Sequence, residues 1–274
     1  MTNKLGIVRA SLILLMSLSS FHLHAQSETA KKRSLVASMA ANEITFRQHE
    51  ANLAYTSEER SPRTGNHLWR EKVVETNDGP LPRLVAIDGN PLTAAQTAAE
   101  SHRIDALVRN PDDFKAFNRN HLNDERHSAA MLALLPKAFV LTPSGEVNGC
   151  LQFKFEPDPS FQPSSYEERI GHAMSGTVSL KQPANRLCLL EGHLSHPVDF
   201  GFGLFGHINQ GGAFFMDRVQ VEGTVWKTRR VAVHIEGRIL LLKSLARDQE
   251  TVRSDIHFVD QALTLQQAAD LTRP

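Results

Sequence analysis

Charge of a dominant sign is missing from this 274-residue sequence, in which 30 Lys and Arg stand against 30 Asp and Glu. That balance excludes a nucleic-acid binder driven by bulk charge, and it favours no anionic membrane as a partner. Cysteine is nearly absent, with two residues, Cys150 and Cys188, and a metal site is not expected from these two alone. Trp and Tyr are scarce at two each, beside 14 Phe. No apolar run reaches the ~20 residues that span a bilayer. Catalytic signatures are missing as well: there is no G-x-x-x-x-G-K-[ST], no H-E-x-x-H and no G-x-S-x-G. What remains, 41% hydrophobic and 22% charged with 16 Gly and 13 Pro, is the composition of an ordinary folded globular protein.

The N-terminus reads as an address. Lys4 and Arg9 give residues 1–25 a basic start, Ala10 to Leu18 form a short apolar run, and Ala25 is the small residue at the expected cleavage point before Gln26-Ser27-Glu28. This is the pattern of a secretory signal peptide, and it predicts a periplasmic protein cleaved near Ala25. Removing it leaves 28 basic and 30 acidic residues, a net charge of −2. The mature segment, 26–274, is expected to be a single domain and a monomer. In an oxidising compartment Cys150 and Cys188 could pair. If the strands meander in order, however, one strand lies between them, and at ~4.8 Å per strand that spacing opposes a bridge. Disulfide and free thiols both stay open.

The hydrophobic period changes twice along the chain. Leu35, Val36, Met39, Ala40, Glu43 and Phe46 fall at helical spacing, with Ser34 able to cap. Residues 53–59, 67–76 and 81–88 are separated by turn chemistry and read as strands. Thr93-Ala94-Ala95-Gln96 has capping-box spacing and opens a helix to about Arg109; Asn110-Pro111 starts another, which is expected to end at Pro136. From Ala138 to Asp260 the period is two: Leu151, Phe153 and Phe155 alternate with Gln152, Lys154 and Glu156, and Val231, Val233 and Ile235 alternate with Ala232, His234 and Glu236. A short helix is expected after Thr264. These elements predict an α+β fold, a large curved antiparallel sheet of nine or ten strands, forming a half-open barrel with helices packed on its concave face.

The order of elements, with early strands ending in Arg83-Leu84-Val85-Ala86-Ile87-Asp88-Gly89-Asn90-Pro91-Leu92, a helical insertion and a long meander, resembles the periplasmic LolA-like superfamily, which includes lipoprotein carriers and a lipid-sensing regulator. The stretch Phe200-Gly201-Phe202-Gly203 to Gly211-Gly212, followed by Gly223-Thr224-Val225-Trp226, resembles secreted proteins grouped there. The resemblance implies a cavity for acyl chains between sheet and helices, with a lipid or acylated protein as partner and peripheral contact with membrane-bound proteins. No diagnostic ligand-binding residue carries over. Candidate cavity residues from the alternation are Phe153, Phe155, Phe200, Phe202, Leu204, Phe215, Trp226, Val231 and Val233, although the same alternation also describes a core packed solid.

No cofactor is expected. Gly201-Phe202-Gly203-Leu204-Phe205-Gly206 matches a dinucleotide fingerprint literally, but a turn and a strand follow it where that fingerprint needs a helix. Two further readings compete with a non-catalytic lipid binder. One is a periplasmic scaffold or protein-interaction domain with a filled core. The other is a zinc-dependent hydrolase using His193, His196 and Glu191; the offset of three between the histidines puts them on opposite faces of a strand, and only a helix or loop would bring them together. A Ser195, His196, Asp199 relay meets the same obstacle.

Overall fold

In a computed structural model of the chain, residues 29–45, 53–200, 206–239, 247–259 and 263–273 are described. The signal-peptide segment and the Phe202 to Leu204 stretch lie outside them. Residues 29–45 form helix α1, which begins upstream of Ser34, so that serine is not its cap. Strands β1 (Leu53–Arg60), β2 (Trp69–Thr76), β3 (Gly79–Ile87) and β4 (Asn90–Pro91) follow. Helix α2 (Ala94–Arg109) starts on the expected capping box, Thr93 accepting the Gln96 N–H while the Gln96 side chain accepts from Thr93. Helix α3 (Pro111–Ala138) starts at Pro111 and runs through Pro136 to Ala138. Its 28 residues extend about 42 Å.

The second half holds β5 (Phe139–Val147), β6 (Cys150–Pro157), α4 (Tyr166–His172), β7 (Met174–Lys181), β8 (Arg186–Leu194), β9 (Val198–Phe200), β10 (Gly206–Ile208), β11 (Ala213–Glu222), β12 (Val225–Ile235), β13 (Gly237–Ile239), β14 (Arg247–Phe258) and α5 (Leu265–Leu271). The class is α+β. Eleven strands form one open antiparallel sheet in the order β4-β3-β2-β1-β14-β12-β11-β8-β7-β6-β5, and β13-β10-β9 form a small second sheet. Seven of the large sheet's ten neighbouring pairs are consecutive strands; β8–β11 and β12–β14 skip the strands of the small sheet, and β1, the first strand, pairs with β14, the last.

Register decides which side chains share a face, because directly opposed residues point the same way and consecutive residues point opposite ways. Glu59, Thr251, Val231, Met216, Leu190, Val178 and Phe153 form one row across seven strands. On that face Phe153, Val178 and Leu190 are buried under Val36 and Met39 of α1 and Leu132, Leu134 and Leu135 of α3. Ala54, Val74 and Leu81 point the other way, under Ile104 and Leu107 of α2, Phe114 of α3 and Ala268 and Ala269 of α5. Thus α3 contributes its N-terminal end to one core and its C-terminal end to the other. Leu53-Ala54-Tyr55 and Val73-Val74 are buried on both faces, since the tip of the β11–β12 hairpin brings Val221 and Val225 onto Leu53, Tyr55 and Val73.

Buried charges pin the helices. Glu43 on α1 is wholly enclosed and lies between Arg186 of β8 and Arg218 of β11, accepting from Arg186 Nε at 2.7 Å and from the Leu187 N–H at 3.0 Å. Burial by itself would push the Glu43 carboxyl up; the two guanidinium groups and the Leu187 N–H outweigh it and hold the carboxyl below the usual range. On the other face, Arg83 donates to Thr272 and to the Ala269 carbonyl, and Glu100 accepts the Leu84 N–H, which fixes α5 and α2 to β3.

The two cysteines are bonded, with Cα atoms 6.6 Å apart. The strand-spacing argument fails locally. Ser179 faces Leu189 and Leu180 faces Leu187, so Cys188 is the extra residue of a β-bulge, and the bend lets it reach across β7 toward Cys150 at the start of β6.

Candidate functional site

The volume between the sheet and α1, α3 and α4 is occupied by side chains. Phe153 and Phe155, read from the sequence as cavity lining, are each 1% exposed, and Phe139 packs edge-on against Phe155 at 5.1 Å between ring centroids. Val231 points toward the same filled face. Trp226 is buried below the Arg186 guanidinium, 5.9 Å from its ring centroid. Phe200 belongs to β9 by its backbone; Phe202 and Leu204 lie outside the described residues. The nine candidates therefore do not form one pocket.

A groove of about 700 Å3 lies on the opposite, helix-free side of β6, β7, β8, β11, β12 and β14. Two register rows build it. Lys154, Thr177, Glu191, Phe215, Ala232 and Glu250 form the first row; Ser175, His193, Ala213, His234 and Asp248 form the second. Of the sequence candidates, Phe215 lies in the groove's central row, and Phe155 and Val233 reach its lining. Half-buried Thr177, Ala213, Phe215 and Ala232 give it an apolar middle, while Lys154, Glu156, His234, Asp248 and Glu250 are exposed around it.

Two close approaches shape the floor. A Cβ at Gly176 would stand 2.0 Å from the Glu191 carbonyl oxygen, and one at Gly192 would stand 2.8 Å from the Phe214 ring. Only glycine lets β7 and β8 lie this close to the aromatic layer behind them.

The electrostatics are asymmetric. Arg230 donates from Nε to Glu250 at 3.0 Å, and its guanidinium rests 5.2 Å from the Phe215 ring centroid. His234 stands 3.6 Å from Asp248 and 3.7 Å from Glu236. The Glu191 side chain, half-buried in the central row, forms no hydrogen bond or ion pair with any described residue. Four carboxylates in the lining, Glu156, Glu191, Asp248 and Glu250, face two cations, Lys154 and Arg230, so the groove carries a net −2 with both histidines neutral.

The zinc set is not brought together. Glu191 and His193 share the groove face two residues apart on β8, but His196 lies in the bend beyond that strand. Among the described residues no three His, Cys, Asp or Glu side chains are grouped to hold a metal ion. The Ser195–His196–Asp199 relay is not formed either, since Ser195 donates to Ser175 and Asp199 pairs with His207.

Sequence reasoning had named Glu191 and His193 for another chemistry and had left Arg230, Ala213, Ala232, Asp248 and Glu250 unassigned. Their signal was the polar half of each alternation, whose convergence depends on cross-strand register. No protein-family model matches this chain, and no curated protein or solved structure matches it.

Proposed function

We propose that this chain is a periplasmic binding protein, without catalysis of its own, that shelters the chain of a lipid or acylated partner in the groove on the helix-free side of β6, β7, β8, β11, β12 and β14. The observation that carries the reading is the groove itself. Its volume of about 700 Å3 falls among those of small-molecule sites, and an apolar middle with polar groups at the rim is how such sites are made. The resemblance to lipoprotein carriers supports the acyl character of the guest, and the secretory pattern of residues 1–25 supports the compartment. The filled space under α1, α3 and α4 moves the guest to the other side of the sheet. At the large sheet, strand pairing is disfavoured, because its edge strands β4 and β5 are blunted by Pro91, Pro143 and a bulge between Pro143 and Gly145.

Native mass spectrometry of protein purified without detergent tests this reading. An acyl-bearing species is expected to co-purify at one per chain, or to load from added single-chain amphipaths, and Phe215→Glu is expected to abolish it. Absence of both co-purified and loaded guest overturns the proposal and leaves the scaffold reading.

A further inference from the structure

Resting on that reading, we propose that the guest's head group is cationic: an ammonium or guanidinium pairs with Glu191 beside the Phe215 ring while the apolar body lies over Ala213 and Ala232. Three observations point the same way.

The first is Glu191. It is half-buried and its side chain has no partner among the described residues, although Lys154 stands two strands away in the same row and Arg230 of β12 lines the same groove. A carboxylate partly withdrawn from water without a counter-charge is a cost that an incoming cation relieves. The second is the neighbour directly opposite it. Phe215 pairs in register with Glu191, which puts a carboxylate and an aromatic face within one cross-strand contact of each other. That pairing is what cation recognition uses, and the chain already uses it once, for Arg230 over Phe215 with Glu250 closing the pair. The third is the charge count. A net −2 lining repels a carboxylate or phosphate head and attracts an ammonium.

The test compares three probes of equal chain length below their micelle concentrations by isothermal titration calorimetry: dodecyltrimethylammonium, dodecyl maltoside and dodecanoate. The expected result is that the ammonium binds about tenfold tighter than dodecanoate at low salt, with the neutral probe between them and the advantage shrinking as sodium chloride is added. Glu191→Gln is expected to erase most of the advantage, read as the ratio of ammonium to dodecyl maltoside affinity in the same variant. Ala232→Lys, which puts a fixed cation in the groove, is expected to weaken the ammonium selectively; circular dichroism checks that both variants fold. If dodecanoate binds as tightly as the ammonium, or if Glu191→Gln keeps the preference, the cationic assignment falls and the binding-protein reading stands. If none of the three probes binds, both fall.

Discussion

Removing the carboxylate of Glu43 should be among the most damaging single changes to the protein's stability. The side chains of Glu43, Arg186 and Arg218 are 0%, 3% and 1% exposed, so water cannot replace what is lost. Glu43→Ala removes the carboxylate that both buried guanidinium groups share and the acceptor for the Leu187 N–H. Breaking such a pair from one side costs about 3–5 kcal/mol, a large part of the 5–15 kcal/mol typical of a whole domain. Urea denaturation followed by circular dichroism reads the loss directly. The triple variant Glu43→Leu, Arg186→Met, Arg218→Met should recover much of it, because the buried carboxylate and its two guanidinium partners leave together. The acid side follows from linkage. The folded carboxyl is held below its ordinary value of 4.5, so its contribution is complete above about pH 4.5 and fades as the pH falls through the lower folded value. Stability of the wild type should therefore drop more steeply in that acid range than stability of the triple variant. A loss below about 1 kcal/mol for Glu43→Ala, the level of an exposed ion pair, would refute the reasoning.

Other perturbations separate the parts of the structure. Gly176→Ala forces a methyl against the Glu191 carbonyl and should cost about 1–3 kcal/mol in urea denaturation, from overpacking. Phe155→Ala removes a ring that is 1% exposed and should cost about 3–5 kcal/mol; a loss under 1 kcal/mol would mean that the space beneath the helices is not packed. Breaking the disulfide, whose cysteines are 38 residues apart in sequence, should cost about 4 kcal/mol by loop entropy. The Cys150→Ser, Cys188→Ser double variant compared with wild type under oxidising conditions measures it.

Much of the fold could be read because its signals are local. Thr93 with Gln96, Pro111 and Thr264 each mark a helix start by capping chemistry that acts within four residues. Alternation from Leu151 to Phe155 or Val231 to Ile235 needs nothing beyond the strand itself. Helix α4 was overlooked, although Ser165 caps it and Glu167 and Glu168 sit in its first turn; it has seven residues, too few for a period to show. Non-local features could not be read. The pairing of β1 with β14 joins residues nearly 200 positions apart, and the bulge at Cys188 is visible only as a slip between two strands. The groove fell into the same gap. Thr177, Glu191, Ala213 and Ala232 look like ordinary outward positions of four separate strands, and only register sets them side by side.

The proposed guest lies over β7, β8, β11 and β12 on the side away from α1 and α3, not beneath those helices. Methyl NMR during titration with dodecyltrimethylammonium tests it most directly, since each face carries its own reporters. The account predicts shifts at the methyl groups of Thr177, Ala213 and Ala232, with Val36, Leu134 and Leu190 unmoved. Shifts confined to Val36, Leu134 and Leu190 would contradict it and put the guest between sheet and helices.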